Sequence, residues 1–287
     1  MAMTSRIAAL FRTARLICHL AYGSSLAMIY PLFGLSARQA ILKRWSAELL
    51  EILHVRLEIF RHPACLLEQG AFMAANHISW LDIFSINAVK PSCFIAKSEV
   101  NDWPLIGMLC RRTRTIFIER DIRRDTVRIN HQVGVMLGED ECIVLFPEGT
   151  STDGTQVRHF HSSLFQSAVD RKAAIQPVAI RYHDETGRHC SDAAFIGDMN
   201  FLQSLRQVLL SPSLHVTMIL PAPLACAGKN RRILAAEAQT AVSLALEQHT
   251  EHAAGALPAG SPARRACHSA YSLLLDPVFK LRKRHTG

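Results

Sequence analysis

The chain has 287 residues, a formal net charge of +8 and a sequence pI of about 9.3. Hydrophobic residues make up 49% of it, within the roughly 45–50% that is usual for globular proteins, so a membrane protein with many spans is excluded. The basic charge predicts a polyanionic partner, either nucleic acid or an anionic bilayer. No nucleic-acid-binding motif is present, and basic residues flank apolar helical stretches, which favours the bilayer.

The first residues carry the pattern of an amphipathic helix. Apolar side chains recur every three or four positions from residue 5 to about residue 20, which puts them on one helix face. A basic amphipathic helix of this kind is typical of proteins that bind an anionic membrane surface. The basic residues that lie off the apolar stripe are Arg6, Arg12, Arg15 and His19.

An apolar stretch at residues 16–34 overlaps the end of this helix. We expect a helix, a break and a second helix that dip into one leaflet. A single membrane span and a helical hairpin packed on the protein core are the alternatives. Residues 37–53 predict a further amphipathic helix, so residues 1–60 are expected to form membrane-associated helices. The residues expected to break the stretch are Gly23, Ser24, Ser25, Pro31 and Gly34.

The eight cysteines form no Cys-x-x-Cys pair and lie mostly among apolar residues. They therefore indicate reduced core residues in a cytosolic compartment. His183, His189 and Cys190 are close in sequence, but their spacing matches no common zinc pattern and no second pair of ligands accompanies them. No metal site is predicted.

From residue 55 onward, short apolar runs alternate with helical stretches. This alternation predicts an α/β fold with a mostly parallel sheet flanked by helices. In such folds ligands bind beyond the carboxyl ends of the strands, so the residues that follow each strand are candidates for a site. The predicted strands are residues 55–60, 72–75, 93–96, 115–118, 142–146, 175–180 and 214–219.

His77 lies on a predicted turn between a buried strand and a helix, and Asp82 follows five residues later. On such a turn a carboxylate can fold back onto the imidazole, bonding one ring nitrogen and leaving the other free to accept a proton from a substrate hydroxyl. The pair therefore predicts two members of a catalytic triad whose nucleophile is the substrate. The alternative is that Asp82 only caps its helix and His77 is an ordinary loop histidine.

Two further polar clusters follow predicted strands at the same expected edge. Arg120 follows the fourth strand, and Glu148, Gly149 and Thr150 form a turn after the fifth. An arginine guanidinium can clamp phosphate with a planar pair of donors, and a Gly-Thr turn can offer a backbone N–H and a hydroxyl to the same oxygens. The alternatives are a surface ion pair for Arg120 and a helix-capping turn for residues 148–150.

The end of the chain differs in composition from the rest. Ala, Gly, Pro and Ser dominate from residue 251, and an apolar then basic segment follows at residues 271–284. We expect a flexible basic tail at 251–287, after a domain at 61–250 that carries the site. The last segment is either a second membrane contact or a solvated basic tail.

Four short blocks carry a family resemblance. Residues 76–82 hold a His, four residues and an Asp (an HX4D motif), and the other blocks are residues 117–120, 146–150 and 175–179. In this order they resemble the 1-acyl-glycerol-3-phosphate (lysophosphatidic acid) acyltransferases of the glycerolipid acyltransferase superfamily. The resemblance covers roughly residues 70–182 and is specific as a set. Residues 1–60 resemble the family only in character, and the tail does not resemble it.

The resemblance implies a mechanism. His77, oriented by Asp82, would remove the proton from the free hydroxyl of lysophosphatidic acid, which attacks the thioester of acyl-CoA or acyl-carrier protein and gives phosphatidic acid. It implies that Arg120, Glu148, Gly149 and Thr150 bind the acceptor's phosphate. No bound cofactor is implied. The enzyme would lie on the cytoplasmic face of the inner membrane, either monotopic or with a single span.

One departure bears on the acceptor. Many family members carry a basic residue in a Phe-Lys or Phe-Arg pair after the third block, whereas this chain has Phe160 and His161. His161 is at best partly charged at neutral pH. A lyso-ornithine lipid is therefore the alternative acceptor, since the same motif family includes acyltransferases for it. An alternative of another class is a non-catalytic membrane protein that binds lipid.

Overall fold

A computed structural model describes residues 6–66, 70–103, 105–119, 123–139 and 141–255. Short 3-10 turns connect several of its elements. The helices are α1 (Arg6–Ile29), α2 (Leu35–Ile52), α3 (Leu81–Val89), α4 (Ile106–Arg112), α5 (Arg123–Gly138), α6 (Gln166–Arg171), α7 (Phe201–Leu210) and α8 (Arg231–Gly255). The strands are β1 (Val55–Arg61), β2 (Phe72–Ala75), β3 (Cys93–Lys97), β4 (Ile116–Ile118), β5 (Ile143–Leu145), β6 (Ile175–His183) and β7 (Leu214–Leu220).

The seven strands form one sheet in the order β1-β7-β6-β2-β5-β3-β4. The strands from β6 to β4 in this order are parallel to one another, whereas β7 is antiparallel to β6 and β1 is parallel to β7. The prediction of a mostly parallel sheet is therefore confirmed. Because β2, β5, β3 and β4 point the same way, their carboxyl ends meet at one edge, which we call the carboxyl edge.

Successive residues of the central strands face opposite sides of the sheet and two separate cores. Met73 and Ala75 of β2 pack into a core with apolar side chains of α1, α2, α3 and α7. Phe72 and Ala74 pack into the other core, with side chains of α5, α6 and α8. Both faces are thus covered, which explains why these strands are continuously apolar instead of alternating with polar residues.

Strand β6 is longer than its neighbour β2, and its two halves have different partners. Its first half, residues 175–178, pairs with β2, and its second half, residues 179–183, pairs with β7. The second half therefore extends past the carboxyl end of β2. Side chains from this extension can reach the turn that follows β2.

Helix α1 is continuous through Gly23, Ser24 and Ser25, so the expected break there is wrong. The two serine hydroxyls donate to carbonyls one turn earlier, at 2.6 Å and 3.0 Å, which is compatible with a helix. Gly23 serves packing instead, because a Cβ at this position would lie 2.4 Å from Nε1 of Trp45 on α2. The break occurs only at the 3-10 turn Tyr30–Leu32, before α2.

Two basic side chains of α1 face the protein, together with some of its apolar ones. Arg12 is buried and donates to the carbonyl oxygens of Leu209 at 3.3 Å and Ser211 at 2.8 Å. His19 is also buried, with Nε2 at 3.0 Å from the carbonyl oxygen of Trp45. Arg12 and His19 are therefore not free to contact an anionic surface, and the membrane contact of α1 itself stays a prediction. The structure uses them to attach α1 to α7 and α2.

The apolar stripe of α1 faces outward. Ile7 and Leu10 are 83% and 72% exposed, and the stripe continues along the whole helix. The single-span alternative is not met: in the part of the chain that the structure describes, no helix is long and apolar enough to cross a bilayer. The members of this exposed stripe are Ile7, Leu10, Phe11, Ile17, Tyr22 and Met28.

The chain divides into two compact units, residues 1–246 and 247–287. The first unit contains all seven strands. Helix α8 packs on the sheet through Leu234, Ala238 and Val242, which recur at helical spacing and are buried in the second core. It continues to Gly255, past the predicted start of the tail at residue 251. The remainder of the predicted tail lies outside the described residues.

Candidate active site

The turn between β2 and α3 is held to the sheet by its first residue. The Asn76 side chain accepts from the backbone N–H of Ile180 at 2.7 Å and donates to the carbonyl oxygen of Ile180 at 2.9 Å. This pair of bonds continues the β2–β6 pairing beyond the end of β2. The turn that carries His77 is therefore anchored to a central strand.

His77 and Asp82 form a hydrogen-bonded pair on this turn. Nδ1 of His77 lies 2.8 Å from Oδ2 of Asp82. Because a carboxylate only accepts, Nδ1 carries the proton in the neutral imidazole, and Nε2 holds the lone pair. Nε2 has no hydrogen-bond partner among the described residues, and the His77 side chain is 22% exposed whereas Asp82 is fully buried. A basic nitrogen is thus presented to a ligand from a fixed ring.

The bonds of Asp82 show that it does more than cap a helix. Helix α3 begins at Leu81, and Trp80 before it makes no side-chain cap. Oδ2 of Asp82 accepts from the backbone N–H groups of Ile78 at 2.8 Å and Ser79 at 2.9 Å as well as from His77. The carboxylate therefore closes the turn and orients the imidazole at once.

The backbone and ring of His77 are fixed from the loop that follows β5. Its N–H donates to Oε1 of Glu148 at 2.8 Å, and its carbonyl oxygen accepts from the backbone N–H of Thr152, also at 2.8 Å. The ring stacks on Phe146 with a centroid distance of 4.1 Å. These contacts leave the imidazole little freedom, since both main-chain groups and one ring face are engaged.

Glu148 is buried and its carboxylate bonds within the protein. One oxygen accepts from the backbone N–H of His77, and the other accepts from the backbone N–H of Arg158 at 3.0 Å. Burial raises the pKa of Glu148, and the two backbone N–H groups oppose that rise. Glu148 thus joins the turn that carries His77 to the segment around residue 158.

The other predicted site residues follow two different strands, β5 and β4. Gly149 has a φ of 76°, the left-handed region that favours glycine, and Thr150 after it is exposed. Both lie in the turn after β5, beside β2. Arg120 lies outside the described residues. Strand β4, after which it comes, is three strands from β2 in the sheet, or about 14 Å at the usual spacing of ~4.8 Å between strands.

Sequence reasoning missed several residues at the carboxyl edge of the sheet. The Tyr182 hydroxyl donates to Oδ1 of Asp82 at 2.8 Å from the extension of β6. Phe146 and Thr152 had no assigned role, although Phe146 is the first residue of the third block and Thr152 lies two residues after it. Tyr182 comes only three residues after the fourth block, and the alternation of β6 places it on the same face as Val178 and Ile180. The alternation of β6 was therefore the sequence signal that could have pointed to Tyr182.

The His183, His189 and Cys190 cluster is explained by other bonds. Nε2 of His183 lies 2.9 Å from Oγ1 of Thr217, and its Nδ1 lies 2.9 Å from the carbonyl oxygen of Asp184. His183 and His189 pair across a short antiparallel bridge. These contacts therefore link the end of β6 to β7 and to the segment that follows β6.

Comparison with known proteins agrees with this arrangement. A family model described as "Acyltransferase" matches residues 53–181. The chain is 37% identical to a 1-acyl-sn-glycerol-3-phosphate acyltransferase of Neisseria meningitidis serogroup B, covering 67% of this chain and 77% of that protein. It is 35% identical to a lyso-ornithine lipid O-acyltransferase of Pseudomonas aeruginosa, covering 84% of this chain and 95% of that protein.

A solved structure has the same fold. The crystal structure of the 1-acyl-sn-glycerophosphate (LPA) acyltransferase from Thermotoga maritima matches with a TM-score of 0.60, covering 86% of this chain and all of that one. Its sequence identity is 16%, so the match concerns the fold. The two bacterial relatives match over most of their length at 37% and 35% identity, which is enough to assign the family as well as the fold. This chain belongs to the acyltransferase family and acts on lysolipids.

Proposed function

We propose that this chain transfers a fatty acyl group from a thioester donor, acyl-CoA or acyl-carrier protein, to the free hydroxyl of lysophosphatidic acid, giving phosphatidic acid. The observation that carries the proposal is the His77–Asp82 pair at 2.8 Å, in which the His77 side chain is 22% exposed and its Nε2 has no partner among the described residues. A neutral imidazole in this state is a general base for a hydroxyl.

The reaction follows from the state of the two ring nitrogens. Nε2 of His77 takes the proton of the lysolipid hydroxyl as its oxygen attacks the thioester carbonyl carbon. The tetrahedral intermediate then collapses with cleavage of the C–S bond, and the imidazolium returns the proton to the leaving thiolate. Buried Asp82 stabilises the imidazolium between these two steps. An acyl-enzyme is not required.

For the third block we propose two different roles. Glu148 holds the backbone of His77 in place, since both of its oxygens accept from backbone N–H groups. Gly149 and the exposed Thr150 contact the acceptor, with Arg120 at its phosphate, as the resemblance implies. Arg158 is a further cation for the phosphate, because its side chain is exposed and its backbone is joined to His77 through Glu148.

A lyso-ornithine lipid is the second candidate acceptor. His161 is exposed where many family members carry a permanently charged residue, which weakens the argument for a phosphate. The similarity to the lyso-ornithine lipid O-acyltransferase of Pseudomonas aeruginosa also extends over 95% of that protein. The mechanism at His77 is the same for either acceptor.

The test is an assay of the purified full chain with both acceptors, each offered acyl-CoA and acyl-carrier protein. We expect turnover of lysophosphatidic acid to exceed that of the lyso-ornithine lipid, and His161→Arg to increase the preference for the phosphate acceptor. The matched control is His131→Arg, which adds the same charge at an exposed position on α5. Exclusive use of the ornithine acceptor by the unaltered chain would overturn the first-choice substrate and leave the mechanism in place.

We further propose that α1 attaches the enzyme to an anionic membrane surface, as a monotopic protein on the cytoplasmic face. The exposed stripe runs from Ile7 to Met28, about 32 Å at 1.5 Å per residue, and a soluble surface rarely presents so long an apolar strip. The net charge of +8 favours anionic lipid. Residues 1–60 then form the attachment, 61–250 the acyltransferase domain and 251–287 a basic tail.

A further inference from the structure

Asp82 receives four hydrogen bonds, and they are divided unequally between its two oxygens. Oδ2 accepts from Nδ1 of His77 and from the backbone N–H groups of Ile78 and Ser79. Oδ1 accepts from the hydroxyl of Tyr182 at 2.8 Å. The first three donors belong to the same turn as Asp82, whereas Tyr182 comes from β6, 100 residues away in sequence.

Tyr182 is fully buried and remains a donor. Burial, together with the charge of Asp82, raises the pKa of Tyr182 well above its usual value, so the phenol stays protonated across the working range of pH. A carboxylate has no proton to donate, so the bond runs from the phenol to Oδ1. Without this phenol, Oδ1 would be a buried charged oxygen without a donor among the described side chains.

The sheet explains why this tyrosine is available. Strand β2 ends at Ala75, which is aligned with Val178 of β6, and β6 continues for five residues beyond that point. Tyr182 lies on the same face of β6 as Val178, and this is the face that packs against α3. Its hydroxyl is thereby held above the turn by a strand that pairs with β7 and is not part of the turn itself.

We propose that Tyr182 is a positioning residue of the acyl transfer: it fixes the rotation of the Asp82 carboxylate, so that Oδ2 stays aligned with Nδ1 of His77, and it withdraws negative charge from that carboxylate. The inference rests on the proposed function of His77 as the general base. The titratable groups that face Asp82 are His77 on its own turn, Tyr182 on β6 and Glu148 on the loop after β5. Tyr182 is the one among them that donates to Oδ1.

The first test is Tyr182→Phe, which removes one oxygen and keeps the ring. We expect kcat to fall about tenfold, the size of effect for losing a hydrogen bond to a charged group, with KM for the lysolipid unchanged. We also expect the acidic limb of the pH profile of kcat/KM to move to higher pH. The reason is that Asp82 then keeps more negative charge and stabilises the imidazolium of His77 more strongly.

The matched control is Tyr30→Phe. Tyr30 is also buried, and its hydroxyl donates to the carbonyl oxygen of Arg38 at 3.2 Å, away from the catalytic turn. We expect it to lose stability on thermal unfolding to a similar extent while keeping the pH profile and kcat. If both variants lose stability and neither moves the pH profile, Tyr182 is only a packing residue and the inference is overturned.

A second variant keeps the test open if the phenylalanine change destabilises the fold. Site-specific replacement of Tyr182 by 3-fluorotyrosine retains the bond and makes the phenol a stronger donor. The acidic limb should then move in the opposite direction, to lower pH. An unchanged limb in this folded variant would also overturn the inference.

A double-mutant cycle separates this inference from the proposed function. Because Tyr182 acts through the carboxylate, Tyr182→Phe should add little to the loss of kcat that Asp82→Asn causes alone, whereas independent roles would add. Activity of His77→Ala near that of the unaltered chain would sink the general-base function itself. An inactive His77→Ala with fully additive effects of Asp82→Asn and Tyr182→Phe would reject only the role of Tyr182.

Discussion

In the turn after β2, the polar groups of residues 76–82 bond to one another and to other parts of the protein, whereas along α1 two basic side chains turn inward and a stripe of apolar ones faces outward. His77 is held through its N–H, its carbonyl oxygen and Nδ1, and only Nε2 is left for a ligand. On α1, Arg12 bonds to a carbonyl oxygen of α7 and to the one that follows the helix, and His19 bonds to a carbonyl oxygen of α2. Leu10, in contrast, is 72% exposed.

Under the proposed function, the difference matches two separate roles. A general base requires a fixed ring and a single free nitrogen, so the turn satisfies every other group. A surface that meets lipid requires exposed apolar area, and its polar groups can be used to attach the helix to the protein. The amphipathic pattern of α1 is therefore real, but its apolar stripe faces outward, unlike that of an ordinary surface helix.

The largest expected effect is on the turn. His77→Ala removes the free nitrogen, and we expect kcat to fall by about 10²- to 10⁴-fold, the usual contribution of a general base. The variant should keep its fold and its binding to vesicles, because α1 is unchanged. His131→Ala, an exposed histidine on α5, is the control and should retain full turnover in the same assay. Normal turnover in both variants would mean that another group accepts the proton.

The next effect concerns the exposed stripe. Replacing Leu10 and Phe11 by Glu should reduce binding to anionic vesicles by about 100-fold or more, since each buried apolar side chain contributes about 1.5–3 kcal/mol. Flotation with vesicles of mixed zwitterionic and anionic lipid measures this. Turnover of a short-chain, water-soluble acceptor should be retained, because the catalytic turn is not altered.

Val127→Glu is the matched control for the stripe. Val127 is 70% exposed, comparable with Leu10, but it lies on α5, which packs on the opposite face of the sheet. Its replacement should leave flotation unchanged. Equal losses of flotation in this control and in the stripe variant would point to a general effect of added negative charge and would contradict a specific role for α1.

The sequence was most informative where a relation is local. His77 and Asp82 are five residues apart on one turn, so their pairing and the strand before them could be predicted, and the alternation of apolar runs predicted the parallel sheet. The bonds from Glu148 and Tyr182 cross 71 and 100 residues. They depend on strand order and on the extra length of β6, which periodicity does not encode.

The attachment of α1 to the protein through its basic side chains could not be predicted for a related reason. Periodicity identifies an apolar side and a polar side, but it does not say which one meets the protein. Arg12 is buried because carbonyl oxygens at the end of α7 accept its protons, and α7 is about 200 residues away in the chain. A buried arginine with such partners is acceptable, whereas one without them would be costly.

The smallest of the three effects tests how the turn is held. Glu148→Gln keeps the shape of the side chain, but its amide nitrogen would face a backbone N–H of His77 or Arg158, leaving a buried donor without an acceptor. We expect the free energy of unfolding to fall by about 1–3 kcal/mol. We also expect kcat to fall about tenfold, because small displacements of a catalytic group are costly.

Glu141→Gln provides the comparison that makes this result interpretable. Glu141 is as buried as Glu148, but it bonds to Arg114 and to the thiol of Cys93 at the start of β3, at the opposite end of the sheet from His77. Its replacement should lower stability in chemical denaturation to a similar extent and leave kcat unchanged. If Glu148→Gln lost stability and kept its full kcat, Glu148 would stabilise the fold without holding the base. His77 would then owe its position to Asp82, the stacked Phe146 and the bond from the backbone N–H of Thr152.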